Sequence, residues 1–151
     1  MAHEMQEIDR LAEDDFDLPI RVLMENAGAA VAKAVRDFCQ TQRPQRVHDV
    51  QRARPREKIC LLAGAGNNGG DAFVAARHLQ SDGFSPVVVL CVSSERLAVL
   101  KSACAENLAV LQKMNIPVLF ASSGFAGTTA EGSQIQHELA VCDMIVDGLL
   151  G

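Results

Sequence analysis

Gly64-Ala65-Gly66-Asn67-Asn68-Gly69-Gly70-Asp71 follows directly on the apolar run Ile59-Cys60-Leu61-Leu62-Ala63. A short apolar run, a glycine-rich loop and then a helical pattern make a strand–loop–helix unit. Such a loop brings bare backbone N–H groups up to a phosphate. The two asparagines and the aspartate add side-chain oxygens that a plain phosphate cradle does not need. The stretch therefore suits a ligand with both an anionic part and a polar or cationic part, such as a nucleotide accompanied by a cation.

Upstream of this unit, Met5 to Glu13 reads as a short helix and Asp14 to Pro19 as a turn. From Ile20 to Cys39 the apolar residues Leu23, Ala27, Ala30, Val31, Ala34, Val35 and Phe38 recur at helical spacing. Gly28 interrupts that helix at a cost of roughly 1 kcal/mol relative to Ala, which suggests a close backbone approach to a neighbour. Thr41 to Glu57 is a polar, arginine-rich connector. Lys58 to Ala63 is a strand and Asp71 to Gln80 a helix that ends near Gly83. Pro86 to Val92 is a second strand, Ser94 to Met114 a long helix and Ile116 to Phe120 a third strand. Ala121 to Glu131 is a Gly/Ser/Thr loop, Gln134 to Val141 a short helix and Met144 to Asp147 a fourth strand.

Strands that read as continuous apolar runs, separated by amphipathic helices, imply a parallel sheet covered on both faces. Right-handed crossovers then give a Rossmann-like three-layer α/β/α arrangement. In such sheets ligands bind outside the carboxyl ends of the strands. Two polar features fall there, the stretch from Gly64 to Asp71 and Asp147 at the end of the fourth strand.

With 151 residues, 48% of them hydrophobic, the chain is long enough for one domain with a substantial core. There is no Trp or Tyr, and the net charge is −5. Both facts count against nucleic-acid recognition by stacking and by a basic footprint. The arginines of the connector have no aromatic residues between them and read as a solvated segment. Cys39, Cys60, Cys91, Cys104 and Cys142 form no CxxC pair and read as reduced thiols, which points to an intracellular, cytoplasmic protein. No signal peptide or membrane span is legible. His3, His48, His78 and His137 show no metal-ligand spacing.

Several motifs admit two readings. Gly64, Gly66 and Gly69 match G-x-G-x-x-G, yet the acidic residue expected at the end of the second strand of a dinucleotide oxidoreductase is missing, because that strand ends Cys91-Val92-Ser93-Ser94. No lysine follows the loop, so it is not a Walker A motif. Asp71 is either a helix cap or a site residue. Asn67 and Asn68 are either ligand contacts or residues of a left-handed turn. Asp147 serves either a ligand or a loop backbone. Glu25 and Asn26 break an apolar helix face and are either exposed or a buttress of the glycine loop.

Taken together, Leu23-Met24-Glu25-Asn26-Ala27-Gly28, Gly64 to Asp71, and Ile145-Val146-Asp147-Gly148-Leu149-Leu150-Gly151 resemble the motifs of the YjeF N-terminal domain family. Asn107-Leu108, Leu111 and Ile116-Pro117-Val118 fit the same family's helix-to-strand passage. The resemblance implies an NAD(P)HX epimerase, an isomerase of nicotinamide-cofactor repair. Such an enzyme interconverts the R and S epimers of NADH and NADPH hydrated at C6 of the nicotinamide ring.

The resemblance further implies a bound potassium ion with Asn68 and Asp147 as ligands. Substrate contacts fall on Asn67, Asn68, Gly69, Gly70, Asp71 and Gly151, and Asp147 is the acid–base candidate. A homodimer is implied, as is an ADP- or ATP-dependent dehydratase domain or partner. Ala72 departs from the family, which often has glycine there; its methyl is either tolerated or crowds the ligand. The chain is expected to be a single domain, incomplete at its C-terminus. The alternative function is a non-catalytic Rossmann-like module for nucleotide or RNA binding or for dimerisation, which the intact Asn67 to Asp71 stretch disfavours.

Overall fold

The computed structural model describes residues 2–42, 56–93, 100, 102–121 and 129–149. In chain order the elements are α1 (Ala2–Phe16), α2 (Ile20–Gln42), β1 (Lys58–Ala63), α3 (Asn67–Ser81), β2 (Ser85–Leu90), α4 (Ser102–Lys113), β3 (Val118–Phe120), α5 (Ala130–Val141) and β4 (Met144–Gly148). The four strands form one sheet in the order β3-β2-β1-β4, and every pairing is parallel. From β1 the chain winds outward through β2 to β3, then crosses back to place β4 on the other side of β1. The order reverses between β1 and β4, which is the switch point where ligands bind in open α/β sheets.

β1 is the sheet's centre and is buried almost completely: Ile59, Leu61 and Ala63 are sealed on one face and Cys60 on the other. On the first face α3 is the middle helix, packed between α2 and α4. Its Phe73, Ala75, Ala76 and Leu79 join Ile59, Leu61, Val88, Leu90, Cys104 and Leu111 in the main core. Burying a side chain the size of Leu or Phe stabilises by roughly 1.5–3 kcal/mol. On the second face α5 covers a smaller core of Cys60, Val89 and Ile135, with Leu62, Cys91, Leu139 and Cys142 against it. The arrangement is the three-layer α/β/α fold expected from the alternating pattern.

Several boundaries differ from the sequence reading. α3 begins at Asn67 rather than Asp71, because the packing described below holds its glycine-rich first turn. α5 begins at Ala130 rather than Gln134, since the Thr129 hydroxyl accepts the Gly132 N–H at 3.0 Å and caps the helix four residues earlier. α1 and α2 run beyond their expected ends. The end of α3 falls where Gly83 marks it: Gly83 has φ +91° and Phe84 N–H donates to Leu79 O at 3.0 Å. Asn115, with φ 57°, ends α4 by the same pattern, as Ile116 N–H donates to Leu111 O at 3.0 Å. The basic connector lies mostly outside the described residues, as do 94–99 of the expected long helix and 122–128 of the expected loop.

Candidate functional site at the switch point

The site grows from the end of β1. Gly64 N–H donates to Gly148 O at 3.2 Å and Cys91 N–H donates to Ala63 O at 2.8 Å, so the ends of β1, β4 and β2 are tied together. Three residues, Gly64 to Gly66, form the loop, and Gly66 caps α3 with extended backbone and no side-chain bond. Asn67 to Asp71 are therefore the first turn of α3 and not loop. Neither asparagine takes the left-handed backbone that the sequence leaves open. The first N–H groups of a helix lack intrahelical acceptors and carry the positive end of its dipole. That turn thus presents donors toward the switch point.

Close backbone approach explains the glycines. A Cβ on Gly69 would fall 2.0 Å from Gly64 O, so α3 turns back onto its own loop with no room for a side chain. A Cβ on Gly28 would lie 2.4 Å from Val74 Cβ and 2.7 Å from Asp71 O. The neighbour that Gly28 admits is the beginning of α3. Ala72 is 3% exposed, and its methyl lies 2.9 Å from where a Gly148 side chain would begin. Its methyl fills space against β4.

Asp147 lies opposite Leu62 in the β1–β4 register and is exposed. Its Oδ1 accepts the Leu149 N–H at 2.8 Å, so the carboxylate does serve the loop backbone through that oxygen. Burial, reinforced by the Asp147 charge, pushes the Cys91 thiol up, which places Cys91 beside this carboxylate. On the opposite face, burial and the Asp71 charge push the Cys104 thiol up to about 11. Asp147 shares a face with its register partner Leu62, on the α5 side of the sheet, whereas Asp71 belongs to α3 on the other side.

The structure brings Asn67, Asn68, Gly69, Gly70, Asp71 and Asp147 to one end of the sheet; Gly151 lies outside the described residues. A Cβ on Gly148 would be 3.0 Å from Asn68 O, so the Asn68 backbone and the residue after Asp147 are in contact. An amide and a carboxylate are oxygen donors of the kind that holds hard cations. Among the described residues no group of three His, Cys, Asp or Glu converges on a metal position. Asn26 is exposed, while Glu25 reaches α3 instead of solvent. Met24 and Gly148 are contributors that sequence reasoning misses. Their signal is a large residue and a small one placed beside motif positions, which acquires meaning once the helices are docked.

Against known proteins, a family model described as YjeF-related protein N-terminus matches residues 20–151. The bifunctional NAD(P)H-hydrate repair enzyme Nnr of Moorella thermoacetica is 32% identical over 99% of this chain and 25% of its own length. The NAD(P)H-hydrate epimerase of Rhodopirellula baltica is 31% identical over 97% of this chain and 49% of its own. The crystal structure of yeast ynu0, YNL200c, superposes with a TM-score of 0.71 at 30% identity, covering 99% of this chain and 55% of that one. The chain spans about half the length, or less, of these curated relatives.

Proposed function

We propose that this chain, which belongs to the YjeF-related protein N-terminus family, interconverts the R and S epimers of NADHX and NADPHX. The observation that supports this reading is the contact of the Asn68 backbone in the Asn67–Asp71 helix turn with Gly148, the residue after Asp147, at the β1–β4 switch point. Relatives named for NAD(P)H-hydrate epimerase and repair support it.

In this reading the backbone N–H groups of Asn67, Asn68 and Gly69 bind phosphate or ribose oxygens at the positive end of α3, while Gly70, whose N–H donates to Gly66 O at 3.2 Å, contributes close backbone approach. Asp71 accepts a hydroxyl of the substrate. Asp147 is the acid–base group at C6. The C6 hydroxyl takes a proton from the carboxyl and leaves as water as the C6–O bond breaks, and the lone pair of the adjacent ring nitrogen forms the iminium. Oxygen then returns to the opposite face and the proton goes back to the carboxylate, so no net proton is consumed. Asn68 and Asp147 hold a potassium ion, which supplies positive charge against the repulsion between the carboxylates and an anionic substrate. Gly151 begins a second phosphate-contacting loop.

We further propose a homodimer and a dehydratase domain or partner that consumes the S epimer. None of the five cysteines is in a disulfide, which supports a reducing compartment, the cytoplasm. Among the described residues no helix is long and apolar enough to cross a membrane.

The test is epimer exchange of purified R-NADHX in potassium and in sodium buffer. Exchange above the spontaneous rate, faster in potassium, is expected. A folded sample that exchanges no faster than buffer, both ending at Gly151 and extended past it, would overturn the assignment. Tight binding of labelled RNA at physiological salt by that same inactive sample would favour the scaffold alternative.

A further inference from the structure

The geometry points to Glu25 as the positioning residue that sets where the first turn of α3 stands, and so where the substrate contacts stand. The inference rests on the epimerase reading for what that turn binds, but not for the mechanics. Glu25 lies on α2, and its carboxylate spans two successive residues of α3. Oε2 accepts from Arg77 Nη2 at 2.5 Å, and Oε1 meets His78 Nε2 at 2.8 Å. Partial burial pushes the Glu25 carboxyl up, but the hydrogen bonds from His78 and Arg77 and the charge of Arg77 outweigh it, so the net shift is downward. The carboxylate is thus held in its charged form.

The tie continues to a third helix and returns. Arg77 Nη2 also reaches Asn107 Oδ1 on α4 at 3.3 Å. Asn107 Nδ2 donates to Ala103 O at 3.0 Å and lies 3.3 Å from Met24 Sδ. Met24, the residue beside Glu25, is buried over Gly70: a Cβ on Gly70 would fall 2.4 Å from Met24 Cε. Gly28, one turn further along α2, seats on Asp71 O and Val74. Glu25, Met24 and Gly28 therefore grip α3 at three levels, and two of those levels are site residues.

Arg77 makes the grip directional. Its Nε is buried with no hydrogen-bond partner among the described residues. Compensation of the guanidinium then falls on the Nη2 contacts with Glu25 and Asn107. A partly buried cation that loses its carboxylate relocates toward solvent or another acceptor. Arg77 sits about 9 Å along the helix axis from Asp71 at 1.5 Å per residue, so a shift of α3 at Arg77 is carried rigidly to the site. Glu25 does not touch the substrate turn itself. It fixes that turn's register through the helix.

The experiment is amide hydrogen exchange at Gly70, Asp71 and Ala72 in wild type, Glu25→Ala and Glu25→Gln, with KM and kcat measured alongside. Glu25→Gln keeps the side-chain volume and one acceptor, so it folds if Glu25→Ala does not. Expected are at least tenfold faster exchange at these three amides in Glu25→Ala and an intermediate rate in Glu25→Gln. Exchange along β1 should stay within twofold. KM rises about tenfold while kcat stays within twofold, since the chemistry at Asp147 is untouched. Lys33→Ala, which breaks the exposed Lys33–Asp37 pair on the same helix, leaves all of these unchanged.

Wild-type exchange rates at Gly70 to Ala72 in the folded Glu25 variants would overturn the inference. So would equal acceleration there and along β1, which signals general loosening. If wild type shows no epimerase activity, the function assignment fails while the hydrogen-exchange result still decides the role of Glu25.

Discussion

The switch-point crevice has two walls built on opposite terms. The α3 wall is made of backbone. Gly69 rests on Gly64, Gly70 lies under Met24, Gly28 seats on Asp71, and Gly69 and Gly70 are both buried. The β4 wall is made of a side chain. Asp147 is exposed at the end of an edge strand, and its Oδ1 accepts a hydrogen bond from the adjoining loop. The difference shows how one fold separates two tasks. A surface that offers N–H groups to a ligand must fix its backbone, and packing fixes it; a group that moves a proton needs access, and exposure provides it. Substitutions on the first wall should therefore read out in stability, and those on the second in rate.

Asp147→Ala is the sharpest way to break this division. Loss of a positioned acid–base group costs roughly 10²–10⁴ in rate. The hydrogen bond lost with it is exposed, so stability should change by about 1 kcal/mol or less. Epimer exchange and urea unfolding on the same sample check both halves. Normal exchange would remove Asp147 from the chemistry, and a variant that fails to fold would remove the distinction between the walls.

Gly69→Ala tests the opposite wall. Its methyl would fall on Gly64 O at 2.0 Å, against backbone that cannot rotate away. Overpacking of this kind costs about 1–3 kcal/mol, occasionally more, and a backbone neighbour puts this site at the upper end. The helix-propensity gain of about 1 kcal/mol for Gly to Ala offsets only part of it. Net destabilisation of about 2 kcal/mol or more is expected in urea unfolding. A neutral result would mean that the loop and helix start are looser than the geometry requires.

Much of this is legible in the sequence, for identifiable reasons. β1 reads with its observed limits, Lys58–Ala63, because a buried central strand is an uninterrupted apolar run flanked by charge and glycine. β4 is legible because Met144 and Val146 pack inward while Ile145 and Asp147 face out, a period-two pattern. The start of α3 misleads because Asn67-Asn68-Gly69-Gly70 has the composition of a loop. Its helicity is imposed by contacts with Gly64 and Met24, which are 5 and 46 positions away from Gly69 and Gly70 respectively. The start of α5 misleads because a Thr129 cap on Gly132 has no acidic third residue to advertise it. At the site, Asp147 and the Asn67–Asp71 stretch can be named from spacing. The roles of Met24, Gly148 and Ala72 cannot, since they depend on which helices touch.

The buried face also carries a pH signature. Burial, then the Asp71 charge, raises the Cys104 thiol from 9.0 to about 11. Burial chiefly raises Cys60 over the same interval. Between the two pKa values the native state holds a proton that the unfolded state has released, so a raised thiol pKa disfavours the native state there. Native stability is therefore unaffected below about 9 and is lost as pH climbs toward 11. Each thiol costs the native state roughly 3 kcal/mol by the top of that interval, at about 1.4 kcal/mol per pH unit. Stability measured from pH 8.5 to 11 should therefore fall, and Cys104→Ala should make that fall shallower. An unchanged slope would place Cys104 in a wetter setting than α3 and α4 provide.

Gly66→Ala is expected to do least to the fold, and that makes it informative. Gly66 belongs to the same motif as Gly69, but nothing lies within 4 Å of where its methyl would stand, and its φ of −91° suits alanine. Replacing a glycine cap by alanine costs roughly 0.5–1 kcal/mol. Restricting the unfolded chain returns about 0.4–1 kcal/mol, so the net change should lie within about 0.5 kcal/mol. The open space beside Gly66 faces the positive end of α3, where the substrate phosphate is proposed to sit. Alanine there should raise KM severalfold with unchanged unfolding midpoint. A stability loss above about 1 kcal/mol would make Gly66 another packing glycine. An unchanged KM would move the phosphate off this loop and onto the side chains of Asn67 and Asn68.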